Sequence, residues 1–225
     1  MVRNTPTVMG DSSRHNPLRA LLATGLAAVL VGVPAAAFAS QRTDFVAVAG
    51  RAAQPGQAEF GVPASVTVAQ AILESGWGNS DLATDHHNYF GMKCHDRDPG
   101  PIAAGCVEVP TKECDAQRCW HTTAYFRQYR SMADSYRDHG AFLRDGPRYA
   151  KAFDHTDDAD RFIAEVHRAG YATDPKYTDK IIGLMKQYDL YRFNHPGGAD
   201  SGGRFGPAHP TEPVGAPSNV TDRFG

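Results

Sequence analysis

The sequence has no surplus of positive charge: 23 Lys and Arg stand against 25 Asp and Glu, a formal net charge of −2. Nucleic-acid binding needs basic residues in excess on one face to meet phosphates, so nucleic acid is not an expected partner. The glycines keep no three-residue period and no stretch repeats in sevens, which excludes collagen-like and coiled-coil chains. No glycine loop of phosphate-binding form and no serine nucleophile elbow occur. Apolar runs are scarce, with a single long one from Ala20 to Ala39. What remains is ordinary for a folded protein: 225 residues, 41% apolar and 21% charged, enough for one globular domain with extensions.

The extensions are legible at both ends. Arg3, Arg14 and Arg19 precede the apolar run, which closes on Ala37-Phe38-Ala39 before Ser40. A basic start, an apolar middle and a small-x-small end form the pattern of a secretory signal, so residues 1–39 are expected to be a signal peptide cleaved after Ala39, leaving no stable membrane anchor. From Asn194 onward, glycines and prolines alternate with few aliphatic side chains. Residues 194–225 cannot bury enough surface to offset their ordering entropy and are expected to form a disordered tail. The folded unit is then 40–193.

Cysteine is also scarce: Cys94, Cys106, Cys114 and Cys119 are the only four, and they are clustered. Their spacing lacks the paired two-residue gaps of a zinc ribbon, and an exported chain favours disulfides. Three pairings fit four cysteines. Order along the chain favours Cys94 with Cys106 and Cys114 with Cys119, although spacing alone does not choose. His86 and His87 beside Asp85 have no third ligand at helical spacing, so no metal is expected there.

Periodicity inside the folded unit is mainly helical. Phe45, Val46, Val48, Ala49 and Ala52 suggest a helix that Pro55-Gly56 interrupts or ends. Val66, Ala69, Ile72 and Leu73 share one face of a second helix, which begins near Pro63 and stops at Gly76 and Gly78. Ser131 with Asp134 opens a third, and Thr156 can cap a fourth that carries Phe162, Ile163 and Val166 and ends at Gly170. Asp174-Pro175 opens the last, with Tyr177, Ile181, Leu184, Met185 and Tyr188 in core phase. Alternation from Val107 to Ala124 reads as a β-hairpin stapled by the cysteines. The fold class is α+β.

Glu74 falls in the last turn of the second helix, where the carbonyl end of the helix dipole disfavours a carboxylate. The segment around it, Ala69 to Ala83, reads AQAILESGWGNSDLA. Three further segments follow it: Asn88 to Lys93 (NYFGMK), Phe126 to Ser131 (FRQYRS) and Gly170 to Tyr177 (GYATDPKY). Four motifs in this order resemble glycoside hydrolase family 73, the N-acetylglucosaminidases of bacterial autolysins and flagellar peptidoglycan hydrolases. The resemblance implies a lysozyme-like fold, with a helical body and a small β lobe across a substrate groove. It implies a secreted or cell-envelope endo-β-N-acetylglucosaminidase that cuts the β-1,4 bond after N-acetylglucosamine in peptidoglycan, with no cofactor.

Carried over by position, Glu74 matches the general acid. An alkoxide is a poor leaving group, so a carboxylic acid must deliver a proton as the bond breaks, and burial against Trp77 would keep that acid protonated. Glu113, in Thr111-Lys112-Glu113, matches the second carboxylate, with Glu108 as the fallback because the neighbouring cysteines depart from the family pattern. Tyr171 matches a catalytic tyrosine near the reacting carbon. Trp77, Asn88, Tyr89 and Tyr177 are candidate sugar contacts, Trp77 serving equally to shield Glu74, Asn88 to hold its loop and Tyr177 to fill the core. Two rivals share the fold: a lytic transglycosylase using Glu74 alone, and a wall-binding protein without turnover.

Overall fold

A computed structural model of the chain describes residues 35–114 and 119–195, excluding the side chains of 35–39, 112–114 and 119. The expected signal, 1–39, lies outside the described residues except for one helical turn, and the expected tail does so from residue 196.

Helix α1, Ala35–Phe60, runs through Pro55 instead of breaking there. A proline inside a helix removes one backbone hydrogen bond. Packing on both sides of it offsets that loss. Val46, Ala49 and Ala53 are buried, and beyond the proline Gln57 donates to the Asn194 carbonyl at 2.9 Å. Gly61, at φ +80°, then turns the chain into α2, Ala64–Ser75.

The sequence pattern gave α2 a single apolar face, but all twelve of its residues are buried. Small residues at Ala64, Ala69 and Ala71 let α1, the last two α-helices and the C-terminal turn close around it. Its first N–H groups have no local side-chain cap. Distant side chains serve instead: Ala64 N donates to Gln57 Oε1 at 2.7 Å and Ser65 N to Asn194 Oδ1 at 2.9 Å. Asn194, assigned to the tail by composition, therefore belongs to the fold.

A short helix, α3 (Asp81–His86), follows under a Ser80 cap and has no counterpart in the sequence reading. Strands β1 (Gly105–Cys114) and β2 (Cys119–Gln128) form the expected antiparallel hairpin, in register from Gly105 opposite Gln128 to Cys114 opposite Cys119. Lys93 bridges to Phe126 on the free edge of β2, and a Cys94–Cys106 disulfide ties that segment to β1. The side chains of Cys114 and Cys119 are outside those described. Two bonds anchor the hairpin's root to α4, Met132–Asp145: the Arg127 guanidinium and the Tyr129 hydroxyl each donate to Asp138 Oδ2 at 2.6 Å.

The rest is helical. Ser131 caps α4 as expected, accepting from Asp134 N at 3.2 Å. A 3₁₀ segment, Pro147–His155, precedes α5, Ala159–Arg168. Asp158, not Thr156, caps α5, because Thr156 is taken up ending the 3₁₀ segment. Helix α6, Tyr177–Gln187, starts just past the expected Asp174-Pro175, with Asp174 accepting from Lys176 N at 2.9 Å. A last 3₁₀ turn, Leu190–Asn194, buries Leu190 and Phe193 against α1. The result is an α+β fold, a mainly helical body carrying one small disulfide-tied lobe. No described helix is long and apolar enough to cross a membrane.

Candidate active site

Glu74 sits where the sequence placed it, one residue before α2 ends, and is 4% exposed. The helix stops abruptly. Gly76, Trp77 and Gly78 hold φ of 56°, 65° and 75°, three consecutive left-handed residues. Glycine adopts this conformation without strain; a tryptophan does so only when its surroundings hold it there. Here Phe45 and Tyr188 meet the Trp77 ring edge-on, at 6.2 and 4.7 Å between centroids, and the Arg42 guanidinium lies 5.0 Å from its centre. Gly78 is required for a second reason: a Cβ there would lie 2.7 Å from the Phe45 ring. Ser75 completes the turn, its hydroxyl donating to Ala71 O and accepting from Gly78 N.

One contact joins the two ends of the motif pattern. The buried Tyr177 hydroxyl, at the first residue of α6, donates to Glu74 Oε1 at 3.1 Å. Gln70, one turn before Glu74 on α2, donates from Nε2 to the same hydroxyl oxygen at 2.9 Å. Sequence reasoning missed Gln70. Its signal was the lone amide of a helix whose other polar residues are Ser65, Thr67, Glu74 and Ser75, four residues before the carboxyl.

Tyr171, expected beside the sugar, is fully buried. Its hydroxyl lies 3.2 Å from His139 Nε2, and its ring packs 5.8 Å from that of Tyr177. Burial raises its phenol well above the usual tyrosine range. The tyrosine bonded to the carboxyl is thus Tyr177, which the periodicity had placed in the core. Both properties hold, because the start of α6 faces the end of α2 across a dry interface.

Asn88 is a loop clamp. Its amide donates to Met92 O at 2.9 Å and Arg127 O at 2.8 Å, and its oxygen accepts from Met92 N at 3.0 Å. Both amide hydrogens and one lone pair of the oxygen are thus engaged in holding the loop. Trp77 is half-buried, and its contacts with Phe45, Tyr188 and Arg42 brace the turn. Tyr89 is half-buried, with its ring against Phe45 and Tyr136.

The hairpin separates the two candidate second carboxylates. Register places Glu113 opposite Trp120, on the same face as Thr122, Ala124 and Phe126. Glu108 lies opposite Tyr125, on the other face. Its oxygens accept from the Thr123 hydroxyl at 2.7 Å and the Tyr125 hydroxyl at 3.0 Å. Those bonds, with the nearby Arg97, hold the Glu108 carboxyl below the usual range. Glu108 is therefore an ionised carboxylate that already accepts two hydrogen bonds. The Glu113 side chain is outside those described.

Known proteins resemble the chain in sequence and in fold. A family model described as mannosyl-glycoprotein endo-beta-N-acetylglucosaminidase matches residues 50–190. The peptidoglycan hydrolase FlgJ of Pseudomonas aeruginosa is 36% identical over 153 residues, 66% of this chain and 37% of that protein. The exo-glucosaminidase LytG of Bacillus subtilis is 34% identical over 140 residues, 60% of this chain and 48% of that one. The chain thus spans less than half the length of these curated relatives. Among solved structures, the catalytic domain of the Listeria monocytogenes autolysin Auto superposes with a TM-score of 0.60 at 27% identity, covering 74% of this chain and 92% of that one. A glycoside hydrolase domain of Salmonella typhimurium FlgJ gives 0.54 at 32% identity, covering 66% and 97%. With the family model spanning most of the folded unit, the chain belongs to the glucosaminidases of glycoside hydrolase family 73.

Proposed function

We propose that this chain is an exported peptidoglycan hydrolase that cuts the β-1,4 bond after N-acetylglucosamine, with Glu74 as the general acid. The observation that carries the reading is the buried Glu74 carboxyl at a helix C-terminus, held by the Tyr177 hydroxyl. Desolvation and the carbonyl end of a helix both favour the neutral carboxyl, the form that can donate a proton to a departing sugar oxygen. The substrate class follows from the relatives, which include peptidoglycan hydrolases and a glucosaminidase. Export is supported by the Cys94–Cys106 disulfide, which belongs to an oxidising compartment.

Glu113 is the second carboxylate in this reading, since Glu108 already accepts two hydrogen bonds. It either activates water for an inverting displacement, with the carboxyls roughly 6.5–9.5 Å apart, or supports the positive charge while the substrate acetamido group attacks its own anomeric carbon. The anomeric form of the first product, followed by proton NMR, separates the two routes.

Glu74→Gln tests the whole reading. It keeps shape and hydrogen bonding but has no acidic proton, and is expected to lower turnover of purified peptidoglycan about a thousandfold. Parental activity in this variant would end the proposal. Mass spectrometry of the products should find reducing N-acetylglucosamine ends, whereas anhydro-muramic ends would identify a transglycosylase.

A further inference from the structure

We infer that Gln70 is a positioning residue for the general acid, acting through Tyr177. The inference rests on the functional reading above and deepens it.

The argument is one of donors and acceptors. A tyrosine hydroxyl has one hydrogen, and its direction decides which neighbour receives it. Gln70 Nε2 donates to the Tyr177 oxygen at 2.9 Å, so the hydroxyl hydrogen is released toward Glu74 Oε1 at 3.1 Å. All three side chains are buried. Gln70 Oε1 is buried and has no hydrogen-bond partner among the described residues. Turning the amide over would strand an NH₂ in that place, and a buried orphan donor is rarer than an under-satisfied carbonyl oxygen. The amide is thereby kept as a donor.

The consequence falls on the acid. With Oε1 accepting from Tyr177, the carboxyl proton is directed to Oε2. Without Gln70 the Tyr177 oxygen could accept that proton, and the carboxyl could present the wrong oxygen to the substrate. Gln70 and Glu74 are four residues apart on α2, so helix geometry places both side chains on the face that meets α6. The pair reads one tyrosine across the interface.

The test uses Gln70→Met, which nearly keeps the side chain's volume and removes its donor, together with Tyr177→Phe and the double variant. The expected result for Gln70→Met is a kcat about tenfold lower, the weight of one well-placed hydrogen bond, with KM within about twofold. The alkaline limb of its pH profile should move upward, because a carboxyl deprived of a fixed donor holds its proton longer. Tyr177→Phe should move the limb the same way. In the Tyr177→Phe background, Gln70→Met should cause no further loss of kcat, since its route to Glu74 is already gone.

Additive losses in the double variant, or a parental kcat and pH profile in Gln70→Met, would overturn the inference. Should Gln70→Met fail to fold, the limb in Tyr177→Phe decides, and an unmoved limb is equally fatal. Glu74→Gln, assayed in parallel, keeps the two levels apart. If it retains activity the functional reading falls, whereas an inactive Glu74→Gln beside a silent Gln70→Met sinks only the role of Gln70.

Discussion

At the scale of single residues, the place of Glu74 was legible and its surroundings were not. Helix periodicity and two glycines put it in the last turn, while only the resemblance to the family singled it out as a general acid. Its partners come from residues about a hundred positions away, and no local pattern reports such a contact. The β-lobe carboxylates give a prediction at this scale. Because the Glu108 oxygens are already bonded to Thr123 and Tyr125 on one face of the hairpin, Glu108→Gln should keep activity within about threefold, while Glu113→Gln should lose about a hundredfold or more. Reducing-sugar release from peptidoglycan checks both, and the opposite ranking would restore Glu108 as the second carboxylate. Asn88 supplies another. Asn88→Ala strands Met92 N, Met92 O and Arg127 O in or beside the core, and should lower stability by about 3 kcal/mol, read as a lower urea midpoint. If Asn88 were instead a surface sugar contact, the midpoint would stay and only KM would rise.

At the scale of elements, local rules succeeded where caps and turns are local. Ser131 and the Gly76 stop were readable because their partners lie within three or four residues. At α1 and α2 the errors share one cause, tertiary contacts that replace a missing local signal, whereas the Ser80 cap of α3 and the Asp158 cap of α5 were local signals left unread. Helix α1 passes Pro55 because Gln57 is engaged beyond it, and α2 starts without a local cap because Gln57 and Asn194 meet its first N–H groups. The hairpin's attachment was half legible: order along the chain favoured Cys94 with Cys106, the pair that forms, but nothing announced the bridge of Lys93 to Phe126. The Cys94–Cys106 bond closes a loop with a sequence separation of 12. Replacing both cysteines by serine should therefore cost about 3 kcal/mol by loop entropy. The loss should be concentrated in the lobe, because Arg127 and Tyr129 still anchor its root to Asp138. Hydrogen exchange should accelerate in β1 and at 92–98 while α2 and α6 keep their protection, and uniform acceleration across the chain would contradict this local account.

At the scale of the whole molecule, the fold class followed from counting helical stripes and one alternating segment, whereas the centre of the core did not. The pattern of α2 suggested an amphipathic surface helix, yet it is the central element, and its polar residues Gln70, Glu74 and Ser75 are buried with it. A core that admits polar groups couples stability to pH, and His139 is the clearest case. Its ring stacks on Phe90 at 4.0 Å with Tyr171 beside it, and burial depresses its pKa to about 3. The unfolded chain takes up that proton near pH 6.5. Between these values the unfolded state binds more protons than the native one, so stability is fully present above about pH 6.5 and declines as pH falls toward 3. The slope reaches at most about 1.4 kcal/mol per pH unit. Glu59, Glu165 and Asp174, whose pKa values are lowered by Arg137, Arg168 and Lys180 respectively, add loss in the same direction, but only below the ordinary carboxylate range. Between pH 6.5 and 5 these three carboxylates drop out, and the difference between the parent and a His139 variant, with the buried Glu74 carboxyl common to both, reports the histidine. Urea midpoints measured across this window should fall steadily for the parent and stay nearly level for His139→Gln, whose amide can still meet the Tyr171 hydroxyl. Equal slopes in the two proteins would mean that this imidazole is not the group that couples folding to acid.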